Sequence, residues 1–169
     1  MSRLSFIQAK RLTTQQAIQQ AEMCRLKGKK IVFTNGCFDI LHLGHVSYLA
    51  QAADLGQVLF VGINDDHSVR GLEKGADRPI NSEDARATVL SALGTVDHVI
   101  VFTEPTPLAL IEAIKPDVLV KGADYDATID DPRNPRYIVG KKEVESWGGI
   151  VNTIQMVEGY STTAILNKR

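Results

Sequence analysis

Two histidines, His42 and His45, flank Leu43-Gly44 in the string His-Leu-Gly-His. They follow a short apolar run and precede a stretch with helical spacing, so they stand at the start of a predicted helix. The first turn of a helix presents unbonded backbone N–H groups and a partial positive charge, which both favour phosphate. Two imidazoles there can donate to phosphate oxygens, and Gly44 lets a ligand approach the backbone closely. The pattern predicts a phosphate-binding site.

Two other interpretations of the histidine pair remain open. In the first, the histidines are unrelated polar residues, since so short a string also occurs by chance; their place between a strand and a helix favours function instead. In the second, they bind zinc, but no third ligand stands at a suitable spacing. Phosphate binding is therefore favoured over both.

Five short runs rich in β-branched and aromatic residues predict the strands of a buried sheet. They are residues 30–34, 58–63, 96–102, 117–120 and the more polar 150–154. Helical segments are predicted between them and at the end of the chain, over 44–55, 81–93, 107–114, 143–147 and from 161 onward. This alternation predicts an α/β fold, Rossmann-like and three-layered, with a mostly parallel five-stranded sheet. Ligands of such sheets bind beyond the carboxyl ends of the strands.

The start of the chain carries its own helix signals. Thr13 and Gln16 have the spacing of a capping box, and Gly28 can end the helix that follows. Residues 1–28 are therefore predicted as a leading helical segment outside the main sheet, packed either on that sheet or on a partner subunit. Asn81 is predicted to cap a later helix. The length of 169 residues predicts one domain over 1–169, with a long surface loop at 124–136.

Composition limits the classes of function. The formal net charge is −1, so no general field attracts nucleic acid or an anionic membrane. Cys24 and Cys37 form neither a metal spacing nor a disulfide framework, as expected in a reducing compartment. No signal peptide and no apolar run of about 20 residues is seen, so a cytoplasmic protein is expected.

Further polar residues follow the predicted strands. Lys121 either contacts a phosphate or is a surface lysine, and its place at a strand end favours the first. Asp39 either serves the site or only shapes a turn. A place in the binding site and a place in a solvated loop are equally good interpretations of Asn64, Asp65 and Arg78. Five residues are interpreted as structural: Cys37, His67, His98, Tyr125 and Trp147.

Two longer strings carry a family resemblance. Asn35-Gly36-Cys37-Phe38-Asp39, followed by His42-Leu43-Gly44-His45, resembles the signature of the cytidylyltransferase-like nucleotidyltransferases, which share the HxGH motif with class I aminoacyl-tRNA synthetases. Glu158-Gly159-Tyr160-Ser161-Thr162-Thr163 resembles the second motif of that family, RTEGIST in the cytidylyltransferases. Met156 and Val157 replace the Arg and Thr of that motif, which argues against CTP and against phosphate contacts from this position.

Other strings resemble one branch of the family, the adenylyltransferases that act on a heptose 1-phosphate. They are Lys74-Gly75, Arg78-Pro79-Ile80-Asn81, Ala92-Leu93, Val96-Asp97 and residues 117–125, and the resemblance extends from about Lys27 to the C-terminus. It implies ATP as co-substrate, a Mg2+ ion, ADP-heptose as product, a role in lipopolysaccharide core assembly and a homodimer. Many bacteria fuse this domain behind a sugar kinase; a stand-alone domain is expected here.

The resemblance also implies the roles of individual residues. A sugar-phosphate oxygen would attack the α-phosphorus of ATP, and pyrophosphate would leave while His42 and His45 hold the triphosphate. Lys121 would contact the α-phosphate or the sugar phosphate, and magnesium would bridge phosphate oxygens and keep several waters. The residues expected to bind the nucleotide are Asn35, Gly36, Phe38, Asp39, Gly44, Asn64, Asp65, Arg78, Gly122, Ser161, Thr162 and Thr163.

Three alternative functions are considered. The first is a cytidylyltransferase for glycerol phosphate or ethanolamine phosphate, against which Met156 argues. The second is an inactive nucleotide-binding regulator, against which the intact His42, His45 and Ser161 argue. The third is a synthetase fragment, which the lack of a KMSKS-like motif and the near-neutral charge disfavour.

Overall fold

The computed structural model describes residues 2–71 and 78–166, so Lys74-Gly75 lies outside the described residues. The helices within these ranges are α1 Arg3–Ala9, α2 Thr14–Leu26, α3 Leu43–Ala53, α4 Asp66–Arg70, α5 Glu83–Ser91, α6 Leu108–Ile114, α7 Lys141–Ser146 and α8 Thr162–Leu166. The strands are β1 Arg11–Leu12, β2 Ile31–Gly36, β3 Val58–Asn64, β4 His98–Phe102, β5 Val118–Gly122 and β6 Ile150–Ile154.

The strands form one parallel sheet in the order β1-β4-β3-β2-β5-β6. The predicted α/β class and parallel sheet are confirmed, but the described residues contain six strands instead of five. The additional strand is β1, whose Arg11 pairs with Val99 and Leu12 with Ile100 at the sheet edge. Two residues are too few to show a strand period in the sequence. Only the pairing with β4 makes them a strand.

The sheet carries a hydrophobic core on each face. Along β2, Ile31 and Phe33 point into one core and Val32 into the other, as the two-residue period of a strand requires. Helices α2, α6 and α7 cover the first face, and α3 and α5 cover the second. The predicted three-layer arrangement is therefore confirmed.

The prediction that residues 1–28 lie outside the main sheet is wrong for β1, which is the edge strand of that sheet, while helix α2 packs on the sheet. The predicted capping box is present: Thr13 accepts from the backbone N–H of Gln16, whose side chain accepts from the N–H of Thr13. Ala17, Ala21 and Cys24 of α2 are buried in the same core as Phe33. The choice between the chain's own sheet and a partner subunit is thus settled for this helix.

Some local details differ from the prediction. Ser82, not Asn81, caps α5, accepting from the N–H of Ala85 at 3.3 Å. Asn and Ser are equally good N-caps, so the sequence alone does not separate the two positions. The short helix α4 was not predicted. Residues 124–136 contain no helix or strand, as expected, and no helix in 2–71 or 78–166 is long and apolar enough to cross a membrane.

Candidate active site

A cavity of about 820 Å³ lies at the carboxyl ends of the central strands. Its wall includes Asn35 and Gly36 from the end of β2, Asn64 from the end of β3 and Lys121 from β5. In a parallel sheet these strand ends meet at one edge, and the loops that leave them surround a common space. Polar side chains far apart in the sequence are therefore brought together here.

The two histidines form a stacked pair at the start of α3. Their ring centroids are 3.9 Å apart and their planes are inclined by 21°. His42 is the N-cap residue, and its carbonyl accepts from the N–H groups of His45 and Val46. Burial lowers the pKa of His42, so the free protein favours the neutral ring. The buried Nδ1 of His42 has no hydrogen-bond partner among the described residues.

Gly44 allows the histidine ring to pack across the helix start. A Cβ at this position would lie 3.0 Å from the His42 ring and 3.3 Å from the carbonyl oxygen of Tyr160. Any larger residue would displace the ring or the C-terminal segment. The space beside Gly44 is thus occupied by protein atoms, and its contact with a ligand stays a prediction.

Asp39, in the loop between β2 and α3, is held by residues 78–81. Its buried carboxylate accepts from the N–H groups of Ile80 and Asn81 and from Nε of Arg78. Burial by itself would raise the pKa of Asp39, but the two amides and the guanidinium outweigh burial and lower it. Phe38, which precedes it, has a φ of +48°, a strained value for this residue type, and its ring lies 5.2 Å from that of His45.

Lys121 extends from β5 toward the end of β2. Its Nζ donates to Oδ1 of Asn35 at 3.1 Å and lies 4.4 Å from the centroid of the Tyr125 ring. Burial, reinforced by the charge of Asp124, raises the pKa of Tyr125, which therefore stays a neutral phenol. At the cavity wall the ammonium thus contacts an amide oxygen and an aromatic face.

Most of the predicted site residues line the cavity. These are Asn35, Gly36, Phe38, Asp39, His45, Asn64, Arg78, Lys121, Gly122, Thr162 and Thr163. Four others lie outside the lining: His42, which stacks on His45, Gly44, Asp65 and Ser161. The Asp65 carboxylate instead caps α4, accepting from the N–H of Ser68 at 2.7 Å.

Sequence reasoning missed several residues that build the site. Arg86 of α5 is buried beneath the strand ends and donates to backbone carbonyls there. The signal was its spacing, since Arg86 shares a helix face with the buried Ala87 and Leu90. Tyr125, interpreted as structural, lines the cavity, as does Tyr48, whose hydroxyl lies 2.7 Å from that of Thr34.

The chain is similar to several known proteins. Residues 33–168 match the cytidylyltransferase-like family. The bifunctional protein HldE of Geotalea uraniireducens (strain Rf4) is 52% identical over 159 residues, which cover 94% of this chain and 30% of that protein. HldE of Pseudomonas aeruginosa (strain LESB58) is 51% identical over 157 residues, covering 93% and 31%. The chain spans less than a third of the length of these curated relatives.

A solved structure is also similar. The lipopolysaccharide core biosynthesis protein from Thermoplasma volcanium GSS1 superposes with a TM-score of 0.60 at 30% identity, over 79% of this chain and 100% of that one. The family match extends from β2 through both histidines to the segment that carries Ser161, Thr162 and Thr163. The chain accordingly belongs to the cytidylyltransferase-like family of nucleotidyltransferases.

Proposed function

We propose that this chain transfers the adenylyl group of ATP to D-glycero-β-D-manno-heptose 1-phosphate, giving ADP-heptose and pyrophosphate. The observation that carries the proposal is the convergence of His45, Lys121, Arg78 and Thr162 on one cavity. All four can bind phosphate oxygens, and the reaction requires two phosphorylated substrates side by side. The volume of about 820 Å³ lies high in the range of about 300–1,000 Å³ for small-molecule sites.

The cavity has two sides that suit two substrates. On the β5–β6 side lie Gly122, Met156 and Thr162, next to the histidine pair. The carbonyl of Tyr160 beside Gly44 ties this C-terminal segment to the start of α3. On the β3–β4 side lie Asn64 and Arg78. We assign the triphosphate to the first side and the sugar phosphate to the second, with Lys121 between them.

The reaction needs no covalent intermediate on the protein. A phosphate oxygen of the sugar substrate forms a bond to the α-phosphorus of ATP. The bond between that phosphorus and the oxygen that bridges it to the β-phosphorus breaks. The electron pair leaves with pyrophosphate, whose growing charge His42 and His45 stabilise by donating hydrogen bonds. Lys121 neutralises charge at the α-phosphate, and Arg78 orients the attacking group. Catalysis then comes from positioning and charge neutralisation.

The residues of the cavity fit a magnesium ion that is bound mainly by substrate. Among the described residues, no group of three His, Cys, Asp or Glu side chains could hold a metal ion. Of the lining carboxylates, Asp39 is engaged by Arg78 and two amides, so Asp124 is the one that would hold the ion. Magnesium commonly binds through one or two carboxylates, phosphate oxygens and waters. When bound it would reduce the negative charge of the triphosphate.

The identity of both substrates rests on resemblance and on one side chain. The strings quoted above resemble heptose 1-phosphate adenylyltransferases, the similar solved structure is named for lipopolysaccharide core biosynthesis, and the curated relatives are named HldE. Met156 lines the cavity where the cytidylyltransferase motif has Arg, so the guanidinium expected of a CTP enzyme is replaced by a thioether. ATP is the nucleotide that this resemblance favours. A cytoplasmic homodimer is likewise part of the proposal.

The test is pyrophosphate release with ATP or CTP, each paired with the heptose 1-phosphate or with glycerol 3-phosphate. We expect release with ATP and the heptose phosphate, and its loss in His45→Ala. His67→Ala is the matched control, because His67 is exposed on α4 and does not line the cavity. Release only with CTP and glycerol phosphate would overturn the substrates. Silence with all pairs, while ATP still binds, would favour a regulator.

A further inference from the structure

Arg86 is a buried cation that the proposed chemistry does not use directly. It is 2% exposed, and its guanidinium donates to the carbonyl oxygens of Cys37 at 2.7 Å, Asn64 at 2.8 Å and Asn81 at 3.1 Å. It also donates to the carboxylate of Asp66 at 2.7 Å. Burying a cation is costly unless its donors are satisfied, and here the acceptors come from three different segments. Each of those segments contributes residues to the cavity wall.

A chain of hydrogen bonds leads from Arg86 to the cavity. Asn81, whose carbonyl accepts from Arg86, donates its N–H to the Asp39 carboxylate at 2.8 Å and its side-chain amide to the Asp39 carbonyl at 2.6 Å. The same carboxylate accepts from Nε of Arg78. Arg78 lines the cavity, and only 10% of its side chain is exposed. The position of its guanidinium therefore depends on Asp39, and Asp39 depends on the segment that Arg86 holds.

We propose that Arg86 is a positioning residue for the sugar phosphate: it fixes the Asn81–Asp39 contact and thereby sets where Arg78 meets that substrate. The proposal rests on the proposed function. Lys121 has different supports, Asn35 and Tyr125. Loss of Arg86 should therefore disturb the sugar phosphate more than ATP.

Lysine cannot replace Arg86 in this role. A guanidinium presents five N–H donors in a fixed plane, whereas an ammonium has three donors on a flexible stem. Arg86 uses three nitrogen atoms to reach four acceptors, with Nη2 shared between Asn64 and Asp66. Arg86→Lys keeps the charge but loses this geometry, which makes it a sharper test than removal of the cation.

Steady-state pyrophosphate release separates positioning from simple stability. We expect Arg86→Lys to raise the KM of the heptose phosphate about tenfold or more and that of ATP less than about threefold, because a small displacement of a binding group is costly. Asn81→Ala, at an exposed residue, should shift the same KM in the same direction but less. Arg11→Lys is the control: Arg11 contacts Asp84 and Thr88 of the same helix but does not line the cavity.

Amide hydrogen exchange gives a readout that needs no substrate. The N–H groups of Ile80 and Asn81 donate to Asp39, so they should exchange faster in Arg86→Lys than in the wild type. Their exchange rates should be unchanged in Arg11→Lys. This inference alone would be overturned if the wild type is active and Arg86→Lys leaves both KM values and both exchange rates unchanged. A wild type that turns over no sugar phosphate would instead overturn the proposed function. If Arg86→Lys does not fold, Asn81→Ala decides by the same two readouts.

Discussion

The imidazole of His42 stacks on that of His45 at a centroid distance of 3.9 Å. Two cationic rings at this distance would repel each other, and burial further disfavours the charged form of His42 by lowering its pKa. The free protein therefore favours the neutral form of His42. A bound triphosphate would reverse this preference, because its negative charge stabilises the imidazolium form.

Removal of either imidazole should slow the chemical step. We expect His42→Ala and His45→Ala each to lower kcat by about 100-fold, the usual effect of losing one donor to a developing negative charge. The double variant should lose less than the product of the two, since stacked rings act as a unit. Saturating steady-state assays measure this, with the exposed His67→Ala as control. A kcat for either variant within about twofold of the control would contradict the assigned role.

ATP binding should tighten as the pH falls. The pKa of His42 is lowered in the free protein and should be higher in the complex, so the complex binds more protons between the two values. Affinity therefore rises with falling pH in that window and levels off once free His42 is protonated. Calorimetry between about pH 8 and about pH 5.5 measures the slope. The ATP affinity of His42→Asn should depend less steeply on pH, because this variant lacks the contribution of His42. Protonation of ATP itself affects both proteins alike, so equal slopes would contradict the prediction.

Lys121 should matter for turnover but little for folding. Lys121→Met keeps the length of the stem while removing the charge and the donor to Asn35, so we expect kcat to fall about 100-fold. The free energy of unfolding should change by less than about 1 kcal/mol. Lys142→Met is the matched control, because Lys142 is an exposed lysine on α7. Equal kcat values in the two variants would remove Lys121 from the mechanism.

The tight turn before β3 gives a test of packing. A Cβ on Gly56 would lie 2.6 Å from Cγ2 of Val32 and 2.7 Å from the carbonyl oxygen of Lys30, whereas one on Gly94 would meet nothing within 4 Å. We expect Gly56→Ala to destabilise the protein by about 1–3 kcal/mol. Gly94→Ala should be neutral or stabilising by up to about 1 kcal/mol. Urea unfolding measures both, and equal stabilities would show that the turn yields.

Much of the fold and of the cavity follows from local sequence signals. The runs around Phe33 and Phe60 predict buried strands because both faces of a covered parallel sheet are apolar. His45 was predicted as a site residue from its place at the helix start after the first strand, and Lys121 from its place at the end of the fourth predicted strand. Strand β1 and the short helix α4 were missed, since two and five residues carry no detectable period.

The rest depends on contacts between distant parts of the chain. Arg86 stands 49 residues from Cys37 and 22 from Asn64. Its spacing to Leu90 places Arg86 on the buried helix face, but an arginine in a helix that begins Glu-Asp-Ala otherwise resembles a solvated residue. The carbonyls that satisfy it are known only from the fold. The burial of Asp39 likewise cannot be predicted from local sequence, because its partners Ile80 and Asn81 lie in a separate loop.

The most direct test of adenylyl transfer follows the oxygen atoms of the sugar phosphate. The protein is incubated with ATP and heptose 1-phosphate labelled with ¹⁸O in its phosphate, and both products are analysed by mass spectrometry. Direct attack on the α-phosphorus predicts that all of the label is found in ADP-heptose, including the new bridging position, and none in pyrophosphate. Label in pyrophosphate or in free phosphate, or a nucleotide sugar formed only from CTP, would contradict the proposed reaction.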